Sequence, residues 1–127
     1  MTLQFLGTVD ITVAVTALTT LEASACEAVL QGRPGRLGRD AVVVPVHGLD
    51  LLAEAVRGAM AARGFVAEER PFHGHLTLAR LRGAKTCGLA EEISDRWPVT
   101  SVSLVRSHLG GGPAHYETIA ETALQPT

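Results

Sequence analysis

The chain has 127 residues, of which 46% are hydrophobic and 19% charged, and its formal net charge is -2. That length suits one domain with a modest core, and that hydrophobic share excludes a disordered chain. The near-neutral balance excludes nucleic-acid binding by bulk charge, so any RNA contact must come from a local patch.

Thr2 to Leu6 alternates and reads as a strand ended by Gly7. Asp10 is placed to cap a helix running to about Glu22, with Ile11, Ala14, Val15, Leu18 and Leu21 on one face. The β-branched Thr12, Val13, Val15 and Thr16 work against that helix and leave a strand open there. Ala25 to Gln31 is read as extended, and Arg33 to Arg39 as a turn-rich connection carrying Arg33, Arg36 and Arg39. Ala41 to His47 is a β-branched strand in which Pro45 marks an edge or a bulge. Leu49 to Arg63 is the clearest helix: Leu52, Ala55, Val56, Ala59 and Met60 make one stripe, and Gly64 stops it.

Phe65 and Val66 begin an extended piece that leads through Glu68 and Glu69 towards Pro71. His75 to Leu81 reads as a short strand. Gly83 to Gly88 reads as a loop, and Leu89 to Arg96 as at most two helical turns broken by Trp97-Pro98. Val99 to Ser107 alternates as a strand, and the glycine turn at 110–113 joins it to a second strand, His115 to Leu124. The mixture lacks strict βαβ order, which favours α+β with largely antiparallel sheets in a single domain. Cys26 and Cys87 have no metal-ligand spacing and read as free thiols of a reducing cytoplasm. No apolar stretch is long enough to span a membrane, and the expected location is cytoplasmic.

The chemistry concentrates at His75-Leu76-Thr77-Leu78. Alternation puts His75 and Thr77 on one face, where an imidazole and a hydroxyl can serve one phosphate-like group, and turns Leu76 and Leu78 into the opposite layer. The start of the chain echoes this stretch: residues 1–7 align without gaps on residues 76–82, bringing Thr2 onto Thr77. The position matching His75 then falls just before Met1. Arg80 can neutralise a phosphate, but strict alternation turns it away from His75 unless the strand ends or bulges. His73 and His75 are spaced as half a metal site, yet no acidic or cysteine partner stands at a supporting distance, so no metal is expected.

His75-Leu76-Thr77-Leu78 resembles the second His-x-Thr-x signature of the 2H phosphoesterases, and Thr2-Leu3-Gln4-Phe5-Leu6-Gly7 resembles the tail of their first. The similarity is to the bacterial RNA 2′,3′-cyclic phosphodiesterase (2′-5′ RNA ligase) branch, and it extends to Ser107-His108-Leu109-Gly110 and Tyr116. It implies two similar lobes, antiparallel sheets with helices outside, around a shared cleft. It further implies metal-independent hydrolysis of a 2′,3′-cyclic phosphate on RNA ends or small nucleotides, without cofactor or protein partner. In that reading His75 is one of two acid/base histidines, Thr2, Thr77 and Arg80 bind phosphate oxygens, and Phe5 stacks on a base. The first catalytic histidine and the strand and helix expected before it are not in this sequence, so the first lobe is expected to be incomplete. The alternative is an inactive RNA- or nucleotide-binding remnant.

Overall fold

The chain starts its first regular element where Asp10 offers a cap: its carboxylate accepts from the Thr12 and Val13 amides at 2.9 and 3.3 Å. Helix α1 runs Ile11–Thr19 and buries Ala14, Ala17 and Leu18. The β-branched residues are therefore overruled by the cap and the buried face, and the helix stops three residues short of Glu22. The computed structural model describes residues 1–38, 40–66, 70–80, 91–108, 110, 112–113 and 115–126. The expected acidic pair Glu68-Glu69, the loop from Gly83 to Gly88, Arg39 and Cys87 lie outside the described residues.

Strands β1 (Cys26–Gly32), β2 (Gly35–Leu37) and β3 (Ala41–His47) follow. The three form one interrupted hairpin, since β1 and β2 pair antiparallel with successive parts of β3. The turn-rich connection expected from Arg33 to Arg39 is thus in part a strand. Pro45 lies in β3 opposite the break between β1 and β2, where a missing N–H leaves no ladder bond unmade. Helix α2 (Asp50–Ala61) buries Leu52, Ala53, Val56 and Met60, and Gly64 with φ +89° closes its end. Strand β4 (His75–Arg80) pairs with β3.

Strand β5 (Ile93–Val99) occupies the stretch expected to be helical up to Arg96. All seven of its residues pair with β1, from Cys26↔Val99 to Gly32↔Ile93, and that cross-strand pairing outweighs the local helical pattern. Trp97-Pro98 does not end the element, because β5 is the sheet's edge and Pro98 can leave its donor-free side to solvent. Strands β6 (Ser101–His108) and β7 (His115–Ala123) form a separate antiparallel hairpin. The architecture is α+β, with every ladder between named strands antiparallel.

One cluster joins both sheets. Ala17, Leu18 and Leu21 meet Ala28, Leu30, Val44 and Val46 of the large sheet, Leu49, Leu52, Val56 and Met60 around α2, and Leu124 after the hairpin. The segment before α1 corrects a further expectation. Thr2 to Leu6 is not a strand and joins no ladder among the described residues. Alternation supplies a face but not a partner, and a strand without neighbouring hydrogen bonds is not stable. Leu3 and Leu6 instead hold the segment by packing against the core.

Candidate functional site

The large sheet has a dry face and a wet one. Along β3, Val42, Val44 and Val46 are buried, whereas Pro45 and His47 are exposed. Residues directly opposite in a ladder share a face. Val44 opposes Leu76, so Leu76 belongs to the dry side and packs against the core. Val43 opposes Thr77 and Pro45 opposes His75, so His75 and Thr77 stand together on the wet side.

The next register step decides Arg80. From Thr77 to Ala79 strand β4 advances two residues while β3 moves only from Val43 to Val42. Leu78 is the extra residue of a β-bulge, and it is left 39% exposed instead of entering the opposite layer as expected. Beyond the bulge Arg80 opposes Ala41, which shares the face of Val43 and Pro45. The bulge therefore brings Arg80 to the side of His75 and Thr77, where unbroken alternation would have turned it away.

Gly74 sets the approach to β4. The Val46 amide donates to the Gly74 carbonyl at 2.8 Å, carrying the ladder one residue past His75. A side chain at position 74 would collide with the Val46 carbonyl oxygen, so the tight approach requires glycine. The backbone also orients the imidazole: His75 Nδ1 lies 2.9 Å from the His73 carbonyl oxygen. A carbonyl only accepts, so Nδ1 carries the proton in that bond, and Nε2 is left to accept or deliver one. The wet face thus holds an imidazole, a hydroxyl and a guanidinium.

The same face carries His47, which the sequence reading left unassigned although alternation along β3 was enough to place it beside Pro45. Farther across the sheet Arg96 is engaged by Glu27 at 3.5 Å. Thr2 and Phe5 lie in the segment before α1, both exposed, Phe5 to 85%. Among the described residues no hydrogen bond joins either of them to His75 or Thr77. Nor do three His, Cys, Asp or Glu side chains there converge as a metal-binding group, His73 and His75 included. No helix of the described residues is long and apolar enough to cross a membrane.

Residues 44–115 match the model of the LigT-like phosphoesterase family, a span that contains α2, β4, β5 and β6 whole and the end of β3. A phosphoesterase crystal structure is similar with 27% identity and a TM-score of 0.76, over 97% of this chain and 75% of that one. Escherichia coli LigT, complexed with 3′-AMP, is 26% identical with a TM-score of 0.75, over 96% of this chain and 74% of its own. The Thermus thermophilus protein TT0787, at 22% identity and a TM-score of 0.75 over 98% and 76%, shares the fold. No curated protein matches the chain.

Proposed function

The chain belongs to the LigT-like phosphoesterase family, and from that membership we propose that it hydrolyses the 2′,3′-cyclic phosphate of RNA ends or small nucleotides to a 2′-phosphomonoester, in the cytoplasm. Water attacks phosphorus, the bond from phosphorus to O3′ breaks, one group accepts the water proton and another protonates O3′. Imidazole serves either step near neutral pH. His75 is one of the pair, and its Nδ1 bond to the His73 carbonyl leaves Nε2 to face the reacting oxygen. Thr77 donates to a non-bridging oxygen as charge develops there, and Arg80 neutralises the phosphate. Thr2 supplies the matching hydroxyl from the first signature, and Phe5, exposed as it is, stacks on the base.

The observation that supports this reading is the Leu78 bulge, which brings Arg80 to the exposed face that His75 and Thr77 share. A purely structural strand histidine needs no such gathering. Structures of E. coli LigT with 3′-AMP and NADP+ add support for a substrate of the nucleotide class. The partner histidine corresponds to the position directly ahead of Met1, so the assay compares the 127-residue chain with one carrying a histidine there.

In the version with that histidine, His75→Ala is expected to slow hydrolysis of a nucleoside 2′,3′-cyclic phosphate by about 10²–10⁴, the usual worth of positioned acid/base catalysis. Thr77→Ala should cost about 10- to 100-fold, because one hydrogen bond to phosphate is worth about 1–3 kcal/mol. Activity should survive EDTA. Binding of the cyclic nucleotide without turnover in both versions would instead identify a nucleotide-binding protein without catalysis. Unfolding of His75→Ala would return His75 to a structural role.

A further inference from the structure

The tip of the β6–β7 hairpin carries a cluster that the phosphoesterase chemistry does not use. His108 opposes His115 and Arg106 opposes Glu117 across the ladder, so these four side chains share one face. The two imidazoles are stacked, with centroids 4.5 Å apart and planes within 10°. His108 Nε2 contacts the Glu117 carboxylate at 3.1 Å. Arg106 faces Glu117 in register, yet that carboxylate is taken by His108, and among the described residues Arg106 has no ion-pair partner. Arg106, Ser107, His108, Gly110 and His115 line an open depression of about 300 Å3.

Each component suits a different part of one ligand. Parallel rings at stacking distance form a platform that a third flat ring can extend, and nucleobases stack on such surfaces whatever their sequence. An exposed guanidinium without a carboxylate of its own binds phosphate oxygens, in a fork that matches their geometry. The rings are parallel rather than converging on a point, which suits stacking and not shared coordination of an ion. Gly110 leaves the rim without a side chain.

We propose that this depression is a second nucleotide site, taking one base on the His108–His115 stack and the attached phosphate on Arg106. His108 holds Glu117 aside, which keeps its negative charge from the phosphate. The proposal does not depend on cyclic-phosphate hydrolysis by His75, and the two can fail separately.

The test follows the imidazole proton resonances of the full chain by NMR while AMP, adenosine or inorganic phosphate is added, with each histidine assigned by substitution. AMP is expected to shift the His108 and His115 signals and to bind about tenfold more tightly than adenosine or phosphate alone. Arg106→Ala should bring AMP down to the affinity of adenosine. His115→Ala should weaken both by about tenfold, whereas His115→Phe, which keeps a flat ring, should restore them. His75→Ala should leave the response of His108 and His115 unchanged, which separates this site from the one on β4. A tetraadenylate that binds at least as tightly as AMP makes the ligand an RNA end, and AMP binding alone makes it a free nucleotide; the site stands in either case. Absence of any AMP response at His108 and His115 overturns the proposal. So does phosphate binding as tightly as AMP, which would leave an anion site only, or equal losses in His115→Phe and His115→Ala.

Discussion

The His75 imidazole is oriented by a backbone atom two residues earlier. An imidazole free to choose its tautomer would present either nitrogen to a substrate, but the His73 carbonyl fixes the proton on Nδ1. Cys26 shows the opposite effect of surroundings, since burial raises its thiol pKa above the ordinary value. The thiolate is the reactive form, so a raised pKa means a smaller reactive fraction at pH 8. The sign for stability follows from the same shift: folding favours the protonated thiol, so its contribution is full below the ordinary thiol pKa and is lost as pH rises through the raised one. In a Cys87→Ser background, Cys26 should react with a disulfide reagent at pH 8 more slowly than free cysteine, with the rate still climbing at higher pH. A rate equal to that of the free amino acid would contradict this.

At the scale of elements, the Leu78 bulge is what brings Arg80 onto the face of His75 and Thr77. Deleting Leu78 should remove the bulge yet leave Arg80 two positions after Thr77, still on its face. The deletion is expected to keep most of the phosphate binding that Arg80→Ala loses, with His75 and Thr77 still in place and the far-ultraviolet circular dichroism retained. A loss as large as that of Arg80→Ala would show that the placement of Arg80 does not follow from this register. Both helices, the strands at Ala41 to His47 and His75 to Leu81, and the terminal hairpin are legible in the sequence, because each carries its own periodicity or punctuation. Alternation makes a strand end or a bulge the condition for Arg80 but locates neither, since a bulge is a relation between two strands. Ile93 to Val99 was missed for the same reason: its seven pairings with β1 are non-local, while its Trp-Pro pair is a local stop signal. The opposite error occurred at Thr2 to Leu6, where a strand pattern has no ladder partner among the described residues. The likeness of Thr2 to Thr77 was visible in the residues; their relative placement was not.

Across the whole molecule, α1 is the element that ties the two sheets together. It contacts α2, β6 and β7, and Leu18 contributes both ways: its side chain is buried in the shared cluster and its carbonyl accepts from the Thr122 hydroxyl at 3.1 Å. A hairpin of two strands is marginal alone, so β6 and β7 depend on that packing for their order. Two aromatic residues report on the two sheets separately, Trp97 on β5 of the large sheet and Tyr116 on β7 of the hairpin. Because one cluster serves both, urea should unfold them together, with Trp97 and Tyr116 signals sharing a midpoint. Leu18→Ala removes side-chain volume from that cluster and should lower stability by about 2–5 kcal/mol while keeping the two midpoints coincident. If the hairpin were instead an appendage, the Tyr116 signal would change at lower urea than Trp97, and Leu18→Ala would widen the gap. Coincidence in both proteins is expected, since the buried residues of α1 leave neither sheet a complete core without the other.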